Sequence, residues 1–445
     1  MRTVLVAAAL SLFAPVSADA QAAVVRDGAL DALISTSLVS SPLLAARRND
    51  LAASRSDVDV ARWQYFPSIS ADLQQGTGSA SQNPRVVRID QKLYTGGRLD
   101  ADVRSASARS DGTALGVREN ALSLALQIVG AYQSVVTAIR QIATIESYRV
   151  RLDALDGTIS RRIESGVSAA ADRSLINARI TQSQNELTTA RAAQRSALAT
   201  LHKLVGAPAA VDAVAPRFAL ETATPQAGPA SVCSEGDRAE RPLEEALDRS
   251  PTLQRIAKEV EAARANVDSQ RAGLKPVIGV RLEQPIAPSA DSGLRSTRLS
   301  VFIQYTPDAG LAGLARTEGA TARVASLLDQ ADAMRRELIQ QIRSECADQG
   351  GLIDRVAGLS RARGFTTEVV ESSRRLFVAG RRGWIDLLNS AREDFDAEQA
   401  SIAAAAALNA SAYRLALLTG DYPLPTPGLA EPATGPLNSL KAWVR

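Results

Sequence analysis

Few residues in this 445-residue chain could carry acid–base, nucleophilic or metal chemistry. His202 is the single histidine. A His-based triad therefore has no second half-motif to support it, and a site of several histidines is excluded within one chain. It reads as a helix surface residue. Cys233 and Cys346 are the only cysteines, too few for a metal cluster or a disulfide framework. An exported compartment would permit one bridge between them, and two unpaired thiols fit the sequence as well. Gly96-Gly97 follows a strand-like run but lacks the further glycines and the Lys-Ser/Thr of a phosphate loop. The paired acids Glu393-Asp394 lie in a heavily charged helical stretch and read as a solvated face. These residues point away from an enzyme, and no cofactor or metal is expected. The carboxylates that keep a regular place are Asp172 and Asp386, each six residues after a glycine, Gly166 and Gly380.

Composition narrows the classes further. Apolar residues make up 45% of the chain and charged residues 22%, which is the balance of an ordered protein. Aromatics are only 4%, so alanine carries much of the apolar content, and alanine favours helices that approach closely. The formal charge of +3 is small, and basic residues are scattered among acidic ones, so no nucleic-acid partner is expected. The N-terminus reads as a secretory signal over residues 1–20. Arg2 precedes the apolar stretch Val4 to Ala14, and Ala18-Asp19-Ala20 offers a small-x-small cleavage site. No cysteine lies near that site, so a lipid anchor is not expected. Beyond it, no segment approaches 18 consecutive apolar residues. Any membrane contact must use strands or a surface.

The elements that position these residues are laid out twice. Ser41-Pro42 recurs as Ser250-Pro251, Pro67 as Pro276, Gly97 as Gly310, Gly166 with Asp172 as Gly380 with Asp386, and Gly206 as Gly420, each about 210 residues on. The spacing predicts a first repeat over 21–206, a Pro- and Ala-rich linker over 207–240, a second repeat over 241–420 and a Pro-rich tail over 421–445. Each repeat opens with a helical stretch, about 29–65 and 241–274, followed by two short strands, a very long helix and a final helix. The glycines Gly206 and Gly420 suit helix C-caps. Ile128, Tyr132, Val135, Ile139 and Ile142 step by a heptad seam, as do Leu352, Val356 and Leu359. An ordinary amphipathic bundle would show the same steps. Length argues against a compact bundle, because a helix from Gly97 to Gly166 would run roughly 100 Å.

The strands are expected at about 67–76, 85–95, 276–285 and 296–306. Val87, Ile89 and Leu93 alternate with Arg88, Asp90 and Lys92, while Ile278, Val280 and Leu282 alternate with Gly279, Arg281 and Glu283. Leu299, Val301, Ile303 and Tyr305 line one face of the last run; Ile69, Ala71 and Leu73 form the weakest. Polar loops, Gln75 to Pro84 and Pro285 to Ser296, separate each pair. Each run is about the length that crosses a bilayer when tilted. Solvent-facing hairpins on a soluble protein would show the same alternation. Four strands cannot close a barrel in lipid, whereas three copies would supply twelve.

With these features in order, the sequence resembles the TolC-like outer-membrane efflux proteins over nearly all of the mature chain. The resemblance rests on the doubled plan, Ser41-Pro42, Tyr65-Phe66-Pro67, Leu93-Tyr94-Thr95-Gly96-Gly97-Arg98, Gly166 to Asp172, and Gly380-Arg381-Arg382-Gly383-Trp384-Ile385-Asp386-Leu387-Leu388-Asn389. It implies a mainly α fold with membrane β: a homotrimer with a twelve-stranded barrel in outer-membrane lipid and a helical tunnel across the periplasm. The implied partners are a periplasmic adaptor and an inner-membrane pump of ABC, RND or MFS type. The implied role is an exit duct for drugs, metals or proteins in tripartite efflux or type I secretion.

The resemblance also implies a constriction at the turns between each repeat's last two helices. Asp386 would form a ring of carboxylates that attracts cations. Arg382 would help latch neighbouring helices, and Asp172 occupies the matching element of the first repeat. Asn389 stands where some members carry a second acid, which makes the ring less negative. A helix N-terminal acid favoured by the dipole is the plainer reading of Asp386. The linker carrying Cys233 would wrap the tunnel near Cys346, about 50 Å along its helix from the barrel, so a bridge between them is expected on that basis. A periplasmic coiled-coil adaptor or tether is the alternative. It would share the export signal and heptads but need no lipid-facing strands.

Overall fold

The computed structural model describes residues 28–73, 85–214, 232–233, 237–285, 296–305 and 312–425. The expected signal segment 1–20, the loop Gln75 to Pro84, most of the second loop, most of the linker and the tail beyond 425 lie outside the described residues.

The described residues are mainly helical, with four strands. The order is α1 (Gly28–Ser40), α2 (Pro42–Trp63), β1 (Ser68–Leu73), β2 (Arg85–Tyr94), α3 (Arg98–Glu164), α4 (Ala170–Val205) and the short α5 (Pro208–Val214). Then come α6 (Asp237–Arg249), α7 (Pro251–Ala272), β3 (Val277–Pro285), β4 (Arg298–Gln304), α8 (Ala312–Val378) and α9 (Trp384–Thr419). The long helices α3 and α8 are each 67 residues, α4 and α9 each 36, and α2 and α7 each 22. At 1.5 Å per residue the long ones reach roughly 100 Å.

One correction concerns the opening stretches. Each expected helix is in fact two, broken at Ser41 and at Ser250. The cause is local. Proline disfavours the helical region for the residue before it but fits the first helical position. Ser41 and Ser250 therefore turn extended, at ψ 120 and 118, and Pro42 and Pro251 start the next helices. The first pair bends by 47°.

The heptad positions Ile128, Tyr132 and Val135 are buried, in a core that α3 shares with α1, α4 and the end of α9. A second core lies at the far end of the long helices. It contains Tyr148, Leu152 and Ile159 of α3, Ile176 of α4, Phe377 of α8, and Trp384, Leu388 and Phe395 of α9. Between the ends, α8 buries little: Ala320, Ile342, Gln349, Ser373 and Phe377 are its buried residues. Its seam residues Leu352, Val356 and Leu359 are only half-buried. Stretches of α3 and α9 are apolar enough by composition to cross a bilayer, yet 50% and 61% of those windows is buried against other parts of the chain. Their apolarity serves helix packing.

Candidate channel wall and tip

The four strands form one antiparallel sheet in the order β1-β2-β3-β4. Alternation and register together sort its faces. Ile69, Ile89, Leu282 and Leu299 align across all four strands. Val280 with Val301, and Ile278 with Ile303, extend the same face. This face is open: Ile69, Leu299, Val301 and Ile303 are between 71% and 74% exposed. The opposite face aligns Ser68, Asp90, Arg281 and Ser300, and beside them Ser70, Arg88, Glu283 and Arg298. Its charges pair across strands: Arg281 with Asp90 at 2.7 Å, and Arg88 with Asp72 at 3.1 Å and Glu283 at 3.2 Å. Phe302 lies on this face against Gly279, where a Cβ would stand 2.5 Å from its ring. Arg281 covers that ring at 4.9 Å. Among the described residues, the outer edges of β1 and β4 have no strand partner.

The helix end of the sheet carries exposed aromatics: Trp63, Tyr65 and Phe66 before β1, Tyr94 closing β2 and Tyr305 after β4. Partial burial, together with its bond to the Asp100 carboxylate, pushes the Tyr65 phenol up to about 12, so it remains a donor.

At the opposite end of the long helices, two turns share one geometry. Gly166 and Gly380 adopt φ +76 and +71, the left-handed region that glycine enters without strain. The next amides close the turns, Val167 N–H on the Arg162 carbonyl and Arg381 N–H on the Leu376 carbonyl, both at 2.8 Å. Three residues past each glycine, Ala169 and Gly383 are extended and cap α4 and α9. The Gly-x5-Asp spacing thus places Asp172 and Asp386 in the first turn of the following helix, where a carboxylate offsets the positive helix end.

Asp386 and Asn389 are exposed; Arg382 and Asp172 are half-buried. The Asp386 carboxylate folds back over its own cap, 3.3 Å from where a Gly383 Cβ would stand. Among the described residues, no hydrogen bond or ion pair joins the side chains of these four. What connects the turns is Trp384, which in the sequence stands only as one residue of the Gly380 to Asn389 motif. Its indole N–H donates to the Asp172 carbonyl at 3.0 Å. Its ring meets Phe377 at 5.3 Å, and the Arg162 guanidinium covers Phe377 from 4.8 Å. An aromatic at the first helical position after a tight turn was the available signal.

A second correction lies higher on α9. Glu393 is exposed, but Asp394 is buried instead of solvated. Successive helix positions point about 100° apart, so one acid can face water while the next faces neighbouring helices. Asp394 accepts hydrogen bonds from Thr366 at 3.1 Å, Thr367 at 2.9 Å and Arg151 at 3.3 Å, joining α8, α9 and α3. Close by, Arg392 reaches Glu186 at 2.8 Å, and Tyr148 stacks on Phe395 at 4.4 Å. His202 is half-exposed, with Nε2 3.4 Å from Asp212.

Cys233 and Cys346 are joined in a disulfide, Cα–Cα 5.3 Å, closing 113 residues of chain. It sits in a small cluster with Val232, Leu243, Ala246, Ile342, Leu415 and Leu418. Purified, unreduced protein is expected to show no reactive thiol, counted with a thiol reagent under denaturing conditions. By loop-closure entropy, Cys346→Ser should destabilise the fold by roughly 4–5 kcal/mol, read as a lowered unfolding midpoint in denaturant. Two thiols counted without reductant would refute the bridge.

Comparison with known proteins agrees with this geometry. The family model described as "Outer membrane efflux protein" matches residues 33–207 and 243–421. Protein CyaE of Bordetella pertussis is 27% identical over 331 residues, covering 68% of this chain and 66% of that protein. The alkaline protease secretion protein AprF of Pseudomonas aeruginosa is 27% identical over 285 residues, covering 61% of this chain and 56% of AprF. The matches thus span no more than about two thirds of either relative. In fold, the chain is similar to the outer membrane protein VceC of Vibrio cholerae, with TM-score 0.70 at 14% identity, covering 88% of this chain and 96% of that one. With both of its helix–strand–helix stretches matched, the chain belongs to the outer membrane efflux protein family.

Proposed function

We propose that this protein is the outer-membrane exit duct of a tripartite efflux or type I secretion system and catalyses no reaction. Three copies pool their strands into a twelve-stranded barrel, and their helices form a tunnel into the periplasm. The observation that carries this reading is the sheet. It has one exposed apolar face, one charged face and, among the described residues, two unpaired edges. Lipid tolerates no open edge, so β4 of one copy must pair with β1 of the next. The apolar face then meets lipid and the ion-paired face lines the pore. The aromatics at the helix end of the sheet suit the headgroup level. The little-buried α8 is the surface that neighbouring copies would cover.

In this reading the chain has a signal peptide over 1–20, repeats over 21–206 and 241–420, an equatorial linker over 207–240 and a tail over 421–445. The Cys233–Cys346 bridge pins the linker to the tunnel wall. The tip turns form the constriction, with Asp386, Asn389, Arg382 and Asp172 at its mouth. A periplasmic adaptor and an inner-membrane pump complete the path. AprF is by name a protease secretion protein, which favours a protein cargo. The periplasmic tether reading leaves the exposed apolar sheet face without a purpose.

Planar bilayer recording of detergent-purified protein tests this. Discrete single-channel steps are expected, with larger openings in Asp386→Ala. A water-soluble protein that never inserts would overturn the channel reading. Steps unchanged by Asp386→Ala would move the constriction elsewhere.

A further inference from the structure

An acid ring at the tip leads to an expectation of cation preference, but the charges around it lean the other way. Residues 156–176 and 371–389, which make up the tip, contain seven arginines and five carboxylates. Two arginines are used locally, Arg173 with Asp156 at 3.8 Å and Arg374 with Glu371 at 3.2 Å. Arg162 lies on the Phe377 ring. Arg161, Arg375 and Arg381 are exposed and Arg382 is half-buried, and none of the four forms an ion pair among the described residues. Arg161 and Arg375 stand in the last turns of α3 and α8, where the negative helix end offsets them, and Glu164 is exposed with no ion pair among the described residues. Asp172 and Asp386 both stand in the first turn of a helix, where the positive helix end opposes their charge. Asp386 is also folded over its own cap.

The sheet does not counter this sign. On its charged face Asp72, Asp90 and Glu283 are all engaged by Arg88 and Arg281. Lys92 and Arg298, on the same face, form no ion pair among the described residues. Among the described residues, both ends of the path therefore carry surplus cations.

We infer that this conduit prefers anions, and that Arg381 and Arg382 set the preference at its tip. The inference rests on the channel reading. Given that reading, selectivity is decided where the path is narrowest, by the sign of the charges ringed there. Three copies bring six of these guanidiniums to one mouth. The same bias would favour acidic segments of a cargo chain over basic ones.

The test is the reversal potential of the full-length trimer under a potassium chloride gradient. Wild type should reverse on the chloride side. Arg381→Gln with Arg382→Gln should move reversal toward the potassium side, and Arg381→Glu should move it further. Asp386→Asn should leave the sign and strengthen chloride preference. The wild-type preference should shrink in concentrated salt, because screening falls to about 3 Å at 1 M. A purely structural role for the two arginines would not produce that dependence. Potassium preference in wild type, or a reversal potential unmoved by the arginine substitutions, would overturn the inference while leaving the channel. Absence of any conductance would overturn the channel reading and the inference with it.

Discussion

Val301→Arg is expected to keep the protein out of the membrane. Val301 is central in β4, on the apolar face, and 72% exposed in the single chain. An arginine facing lipid near the bilayer midplane costs about 2–4 kcal/mol per copy. In the proposed trimer the cost arises three times, on the order of 10 kcal/mol, comparable to the whole stability of a domain. The adjacent residue supplies the control. Ser300 lies on the opposite face, paired in register with Arg281. Ser300→Asp places an acid beside a cation and should be tolerated. Membrane fractionation reads both variants. Equal insertion of Val301→Arg and wild type would mean that this face does not meet lipid.

Trp384→Ala should loosen the tip. The side chain is 6% exposed and packs on Phe377, and its indole N–H holds the Asp172 carbonyl. Removing a buried tryptophan costs about 3–5 kcal/mol. Here the loss also unties the α8–α9 turn from the α3–α4 turn. Trp384→Phe keeps most of the packing and removes only the donor, for about 1 kcal/mol. The expected order is therefore wild type, then phenylalanine, then alanine, in both protease cleavage near residues 165–172 and 379–383 and mean channel conductance. A tip whose cleavage and conductance are the same in all three variants would show that the two turns are not held by this residue.

The two variants probe parts of the molecule that differ in how far they can be read from sequence. In the strands, a period of two is a strictly local rule. Once Val87 and Ile89 alternate with Arg88 and Asp90, their faces follow from backbone geometry alone. The turn motif is similarly local. A left-handed glycine and a capped helix start place Asp172 and Asp386 in a first turn whatever else surrounds them. The heptad step marks Ile128, Tyr132 and Val135, which are buried, but its continuation at Ile139 and Ile142 and the α8 seam are only half-buried. The Ser-Pro breaks are equally local, since the proline rule needs no tertiary contact.

Other features depend on which helix lies beside which. Nothing local separates Glu393 from Asp394; packing against α3 and α8 leaves one in water and gives the other Thr366, Thr367 and Arg151. Arg392 finds Glu186 by the same packing. Cys233 and Cys346 stand 113 positions apart and could meet only once the stretch holding Cys233 lay against α8. Trp384 reaches Asp172 from 212 positions away because the two turns end at the same level. By itself, then, the sequence determined the elements, their faces and the placement of the tip acids, because those follow from short-range backbone and side-chain periodicity. Only the tertiary structure decided which polar side chains are buried and paired, because that depends on the lateral order of long helices, which periodicity leaves open.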